Sequence, residues 1–211
     1  QRRRQTFVFF HVGKDISYPQ KMVKSILRHN PDADIIMCTD TDTPDVMGIT
    51  DRYETEIDTD NLMYARTMAY TNLKLDRPAI YVDTDMIIQS EIDVEEILSG
   101  TQVAFCRRSF NGDDKFNIEQ RGLRFDEYEG KSIGDIYPYV GCMVATRDGN
   151  VWADILSIFN SLEPKFKKWY GDQEALRIYA EKYGCAEAPE SVYGCLPEHK
   201  HDDAKIVHYK G

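Results

Sequence analysis

The sequence predicts a single α/β domain with a mostly parallel central sheet flanked by helices. Apolar, β-rich runs alternate with segments of helical periodicity along the chain, and this alternation is typical of parallel sheets. With 211 residues, of which 42% are apolar and 29% charged, the chain is large enough to build one sizeable core. Neither a repeat nor a linker divides it, so we assign residues 1–211 to one domain.

The first third of the chain establishes the alternation. Thr6–Phe10 is β-rich and predicts the first strand, and Tyr18-Pro19 opens a helix that Asn30-Pro31-Asp32 ends. Asp34–Asp40 predicts the second strand. The apolar residues of the helix recur at helical spacing: Met22, Val23, Ile26 and Leu27.

The middle of the chain continues in the same way. Residues 49–57 predict a short strand, followed by a helix over Leu62–Leu75 and a strand over Tyr81–Ile88. Val94–Leu98 predicts a short helix, and Thr101–Cys106 predicts another strand.

The last part of the chain contains one long exception. Arg107–Asp135 is polar and Gly-containing, so we expect a weakly structured segment of the kind that forms functional loops. After it, Tyr139–Thr146 predicts a strand, and Val151–Leu162 and Asp172–Tyr183 predict helices. Lys205–Tyr209 predicts a short closing strand.

Composition argues against several classes of protein. A net charge of −10 and a pI near 5.0 argue against nucleic-acid binding. No apolar run approaches the roughly 20 residues that span a bilayer, and no secretory segment is visible. Five cysteines without Cys-x-x-Cys spacing indicate a reducing, cytoplasmic compartment. Residues 1–5 are expected to form a disordered leader, and a chain that begins at Gln1 fits a fragment of a longer protein.

The most informative stretch is Pro78–Ile88, in which Asp83 and Asp85 interrupt an apolar run. In an extended chain residues i and i+2 project from the same face, so the two carboxylates can converge. Two charges at the end of a buried strand need a partner, and a divalent cation that also binds the phosphates of a ligand would supply it. The alternative is a strand that ends in a turn, with both residues solvated.

Other polar residues are predicted to share the same edge of the sheet. Ligands of open α/β sheets bind beyond the carboxyl ends of the strands. His11 and Gly13 follow the first strand, and Asp40 follows the second. Asp172 precedes a helix as an N-cap candidate, and His208 lies on the last strand.

Five segments occur in an order that resembles one enzyme family. They are Thr6–Val12, Arg66 before Asp83-Thr84-Asp85, Tyr139-Val140-Gly141, Gly171-Asp172-Gln173 and Val207-His208-Tyr209-Lys210-Gly211. Together they span almost the whole chain and resemble GT-A glycosyltransferases, in particular the retaining, glycogenin-like group. The resemblance implies a single GT-A, Rossmann-like domain that uses a UDP-sugar donor. The implied acceptor is a glycan or a glycoprotein.

The resemblance also implies roles for individual residues. Asp83, Asp85 and His208 would hold Mn²⁺ or Mg²⁺, with Asp83 also near the ribose. Asp172 would lie beside the anomeric carbon, with Gln173 as its polar neighbour. The nucleobase would be surrounded by Phe10, His11, Val12, Gly13 and Tyr18. Arg66 would contact the donor sugar or phosphate. Thr84, between the two aspartates, and Lys210 would complete the donor-binding residues. Lys210 would supply the charge that relatives provide after the point where this chain ends.

Several alternatives stay open at this point. Considered singly, Asp172 could be explained as a helix cap, and Arg66 could be explained as a surface residue. His208 could be explained as a structural histidine. Trp169 and Tyr170 fit either stacking on an acceptor sugar or packing under a helix, and Asp113-Asp114 fits a solvated turn. A haloacid-dehalogenase-like phosphatase, a sugar nucleotidylyltransferase and a non-catalytic nucleotide-sugar-binding module are the competing functions. His199-x-His201 is not expected to bind a metal.

Overall fold

The computed structural model describes residues 3–58, 60–168 and 170–210. In chain order its strands are β1 (Thr6–Phe10), β2 (Asp34–Thr39), β3 (Asp51–Glu54), β4 (Ala79–Val82), β5 (Met86–Ile88), β6 (Val103–Arg107), β7 (Glu119–Gln120), β8 (Leu123–Arg124), β9 (Tyr139–Thr146), β10 (Ala186–Pro189) and β11 (Ile206–His208). Its α-helices are α1 (Ser17–His29), α2 (Leu62–Leu73), α3 (Val94–Leu98), α4 (Ile133–Ile136), α5 (Asn150–Ser161), α6 (Pro164–Lys168), α7 (Gly171–Tyr183) and α8 (Glu190–Tyr193).

Seven of these strands form the central sheet, in the order β10-β6-β9-β4-β1-β2-β3. Every neighbouring pair is parallel except those that involve β9, which runs antiparallel to both β4 and β6. A separate two-stranded antiparallel sheet pairs β5 with β11. The predicted α/β domain with a mostly parallel sheet is therefore confirmed.

Helices cover both faces of the sheet because alternate strand residues point to opposite faces. On β1, Phe7 and Phe9 face one apolar cluster with Met22 and Ile26 of α1. Val8 faces the other cluster, which contains apolar residues of α2, α5 and α7. Both faces are thus buried, which explains the nearly continuous apolar strands in the sequence.

Most predicted elements are confirmed, but the chain departs from the sequence-based expectation in three places. Tyr81–Ile88 is not one strand, because β4 and β5 belong to different sheets and a turn separates them. β10 and α8 were not predicted, since Ala186–Pro189 is short and contains Glu187 and Pro189. A run of that composition carries little β propensity.

The segment over 107–135 is not the weakly structured loop that the sequence suggests. It contains the β7–β8 hairpin and most of α4, and with the two residues that follow it forms a separate apolar cluster of Phe116, Phe125, Tyr128, Ile136 and Tyr137. The buried carboxylate of Glu174 on α7 accepts hydrogen bonds from the Tyr128 and Tyr137 hydroxyl groups and from Arg177. This polar network fixes the segment against α7.

Three further observations concern the ends and surface of the fold. Within the predicted leader, Arg3 pairs with Glu95 and Arg4 with Asp34, whereas residues 1 and 2 lie outside the described residues. All five cysteines are free thiols. Among the described residues, no helix combines the length and apolarity that crossing a membrane requires.

Candidate metal centre

Asp83 and Asp85 lie in the turn that joins β4 to β5. The chain leaves the central sheet after Val82 and turns at Thr84 and Asp85 before β5 begins. The predicted extended Asp-x-Asp pair is therefore wrong, and turn geometry brings the carboxylates together instead. They are not fully solvated turn residues either, since only 29% of the Asp83 side chain and 26% of the Asp85 side chain is exposed.

The third member of the cluster is His208 on β11. Antiparallel pairing places His208 opposite Met86, and the backbone N–H of Tyr209 donates to the Asp85 carbonyl at 2.8 Å. As a result, His208 Nε2 lies 3.1 Å from Asp85 Oδ1. One ligand atom from each of Asp83, Asp85 and His208 lies within 4.8 Å of the others, and the described residues contain no second group of this kind.

The electrostatics of this cluster suit a bound cation. Burial lowers the pKa of His208, but the close contacts with Asp85 and the Cys142 thiol outweigh burial and raise that pKa to about 10. Burial raises the pKa of Asp83, although Arg66 opposes this effect. Asp85 Oδ1 is buried and accepts no well-oriented hydrogen bond. Buried polar atoms normally have a partner, and a cation would provide one here.

The donor atoms also indicate which cations fit. Two carboxylates and one imidazole form the set, without a thiolate. Oxygen-rich sets of this kind favour hard cations such as Mg²⁺, and one imidazole is well tolerated by Mn²⁺. The residues therefore fit the Mn²⁺ or Mg²⁺ that the resemblance implies.

Arg66 of α2 connects this cluster to Asp172. Its guanidinium donates to Asp83 Oδ1 at 2.5 Å and to Asp172 Oδ2 at 3.4 Å. Burial lowers the pKa of Arg66, but Asp83 and Asp172 outweigh burial and raise it above its usual value. Arg66 is thus a largely buried cation between two carboxylates, in contrast to the surface residue of the alternative interpretation.

Asp172 occupies the first turn of α7 and does not cap it. The helix begins at Gly171, Tyr170 holds the N-cap position, and no side chain caps the helix. The N-cap interpretation is therefore wrong. The Asp172 carboxylate turns instead toward Arg66, near the positive end of the α7 dipole.

The absence of a side chain at Gly141 allows this arrangement. A Cβ atom at residue 141 would lie 2.4 Å from Asp172 Oδ2 and 3.5 Å from the nearest Arg66 nitrogen. The Arg66 guanidinium also lies 3.5 Å from the Gly141 carbonyl oxygen. Asp172 can rest over β9 only because residue 141 is glycine.

We expect Gly141→Ala to displace the Asp172 carboxylate, because the new Cβ would overlap it. Turnover of the substrate should fall by about tenfold to a hundredfold, as small misplacements of reacting groups commonly cost that much. Mn²⁺ affinity, measured by calorimetry, should change little. Gly112→Ala is the matched control, since a Cβ there meets only one atom at 3.9 Å. Equal losses in both variants would contradict this steric explanation.

Gln173 contacts a residue that the sequence analysis did not identify. Its Oε1 atom accepts a hydrogen bond from Arg108 at 2.5 Å. Arg108 directly follows β6 and also donates to the Tyr137 carbonyl at 2.8 Å. The end-of-strand position that singled out His11 and Asp83 applies equally to Arg108, so the same signal could have found it.

A cleft of about 350 Å³ opens beside the metal cluster. Its lining includes most of the predicted donor-binding residues: Phe10, His11, Val12, Tyr18, Arg66, Asp83, Thr84 and Asp85. Gly13 lies at the surface and donates its N–H to Thr43, and Lys210 is exposed two residues after His208. Neither lines the cleft. A larger cavity of about 800 Å³ lies elsewhere, along β10, and contains none of the predicted site residues.

The remaining predicted residues lie outside this cluster. Tyr170 is 43% exposed and packs edge-on against Tyr137, and Trp169 lies outside the described residues. Asp113 and Asp114 are exposed. His199 stacks on Phe110, and His201 contacts a backbone carbonyl, so neither belongs to the metal cluster.

Comparisons with known proteins identify no family, because no family model and no curated protein matches the chain. Function is therefore inferred from the side chains and their geometry.

Proposed function

We propose that this protein is a metal-dependent glycosyltransferase that moves a sugar from a UDP-sugar to a glycan or protein-linked acceptor, with retention of stereochemistry. The observation that supports it most directly is the Asp83–Asp85–His208 cluster, whose two aspartates line a ligand-sized cleft and which Arg66 connects to the Asp172 carboxylate. The sheet, parallel except for β9, is compatible with the GT-A fold that the motifs resemble.

The order of strands suggests how the donor lies. Phe10 ends β1, and His11 and Val12 follow it. Asp83 follows β4, the next strand in the sheet. β9 comes next, with Asp172 resting over Gly141. A donor would then place its base beside β1, its diphosphate at β4 and its sugar over β9. Tyr18, Leu62 and Met63 are exposed apolar side chains in the cleft and would cover a flat base.

The chemistry of transfer fits these positions. Cleavage of the bond between sugar and diphosphate leaves negative charge on the phosphates and positive character on the sugar ring. When bound at Asp83, Asp85 and His208, Mn²⁺ or Mg²⁺ neutralises the leaving charge without a proton. Asp172 can stabilise the positively charged ring or attack it. Arg66 Nη2 lies 3.4 Å from Asp172 Oδ2 and so fixes the direction of this carboxylate.

The competing functions make different predictions in one experiment. The protein is incubated with a panel of nucleotide sugars and Mn²⁺, with and without EDTA. We expect metal-dependent release of free nucleotide from one donor. Phosphate release from phosphomonoesters without nucleotide-sugar turnover would indicate a phosphatase. Binding of a nucleotide sugar without turnover would indicate a non-catalytic module, and either result would overturn the proposal.

Mn²⁺ affinity should rise with pH. His208 carries a proton at neutral pH because its pKa is raised to about 10, and this proton must leave before Nε2 can bind a metal. Between about pH 6 and about pH 8 the affinity should therefore increase, by at most about tenfold per unit for one displaced proton. Calorimetry in buffers of different ionisation enthalpy measures both affinity and proton release.

His208→Ala should weaken binding and remove most of this pH dependence. His201→Ala is the control, since His201 contacts only the Ser191 carbonyl. A wild-type affinity that does not vary with pH would exclude His208 as a ligand.

A further inference from the structure

Arg108 has an unusual environment for a partly buried arginine. It donates to the Gln173 side chain, to the Tyr137 carbonyl and to Asn111 Oδ1 at 3.1 Å. All three acceptors are neutral, and Arg108 forms no ion pair with a carboxylate among the described residues. Its neighbour Arg107, by contrast, pairs with Glu187.

A fully buried carboxylate fixes the chain that follows Arg108. Glu190 Oε1 accepts backbone N–H groups of Ser109 at 2.8 Å and Phe110 at 3.0 Å. Glu190 is completely inaccessible to solvent, and a buried carboxylate is retained only when hydrogen-bonded. The backbone after Arg108 and the three acceptors of its guanidinium thus define one position for this side chain.

This position determines the orientation of the Gln173 amide. A guanidinium offers only donors, so the Gln173 atom that faces Arg108 must be the oxygen. The nitrogen Nε2 is then the amide atom that does not face Arg108. Gln173 follows Asp172 in the first turn of α7, and Arg108 follows β6, which pairs with the start of β9 beside Gly141, so this donor belongs to the same end of the candidate site.

We propose that Arg108 is a positioning residue that holds the Gln173 oxygen and so presents the Gln173 NH₂ group as a hydrogen-bond donor to an oxygen of the transferred sugar. This inference rests on the proposed function. The inference gives Asp172 and Gln173 different roles. Gln173 cannot attack the sugar through an oxygen that Arg108 already occupies, which leaves Asp172 as the group that responds to positive charge.

Kinetics of four variants test this assignment. Arg108→Met and Gln173→Met should each lower kcat by about a hundredfold, the usual cost of one lost or misplaced donor. The donor KM should stay within about threefold, because a donor that acts in the transition state affects kcat rather than KM. The double variant should be no slower than the slower single variant, since both changes remove one interaction. Arg107→Met, the matched control, should retain activity.

A measurement without turnover separates this inference from the proposed function. The Gln173 side-chain amide gives a pair of ¹H–¹⁵N signals that Gln173→Met removes and thereby assigns. Arg108→Met and the milder Arg108→Lys should shift that pair, whereas Arg107→Met should not. Multiplicative kinetic losses, a loss confined to KM, or unmoved amide signals would each overturn the assignment. An inactive wild-type protein with the expected amide shifts would instead refute the proposed glycosyl transfer while leaving the Arg108–Gln173 pairing intact.

Discussion

Asp85→Ala is expected to reduce Mn²⁺-dependent turnover of the nucleotide sugar by at least about 10³-fold, because it removes a central metal ligand. Asp85 lies between the other two members of the cluster, in contact with His208 Nε2 and two residues from Asp83. Without its carboxylate, Asp83 and His208 alone would hold the cation, and the leaving diphosphate would lose its neutralising charge. Steady-state release of UDP over a series of Mn²⁺ concentrations measures the loss.

The fold should survive this change. The structural contact of Asp85 is its backbone carbonyl, which accepts from Tyr209 and remains in the alanine variant. Asp203→Ala removes an exposed carboxylate that belongs neither to the cluster nor to its cleft and is the matched control. If Asp85→Ala turned over the donor as fast as the control, the metal assignment would be wrong. If high Mn²⁺ restored its rate, Asp85 would contribute to affinity and not to the chemical step.

Much of the fold could be predicted because burial leaves a strong pattern in the sequence. The residues of β1, β2 and β9 are apolar on both faces, so the positions of these strands follow from hydrophobicity, and the alternation of strands with helices predicts a mostly parallel sheet. β10 is short and contains charge and proline, and its place depends on pairing with β6, which is over 80 residues away in sequence. Such contacts leave no local signal.

Contacts between residues distant in sequence also explain why the structure of the segment over 107–135 was not predicted. The apolar residues of its cluster, which include the two that follow the segment, are too widely spaced to suggest a strand or a helix: Phe116, Phe125, Tyr128, Ile136 and Tyr137. They form a cluster only once α7 supplies Glu174 as a shared acceptor for two tyrosines. The polar composition of this segment therefore did not indicate that it forms a packed structure.

The candidate site was predictable in its residue types but not in its connections. Asp83 and Asp85 were identified as a pair from the apolar run around them, yet the geometry that unites them is a turn between two sheets. The link between the metal cluster and Asp172 runs through Arg66 and depends on the missing side chain of Gly141. No spacing along the chain encodes that contact, since these residues lie on α2, β9 and α7.

The link between the metal cluster and Asp172 leads to the second prediction of a large loss of activity. Asp172→Asn should lower kcat by about 10²- to 10³-fold, because the amide keeps the shape of the carboxylate but removes the charge that opposes the positive sugar ring. Mn²⁺ affinity and donor KM should change only a few-fold, since Arg66 keeps its stronger contact with Asp83 at 2.5 Å. Single-turnover measurements with saturating donor isolate the chemical step.

Asp154→Asn, an exposed carboxylate on α5, is the matched control for this variant. The comparison with Asp85→Ala separates two kinds of carboxylate within one site. Loss of Asp85 should appear in the Mn²⁺ dependence, whereas loss of Asp172 should persist at every Mn²⁺ concentration. If excess Mn²⁺ rescued Asp172→Asn, Asp172 would act through the metal cluster, by way of Arg66 and Asp83, and its placement beside the sugar would be wrong.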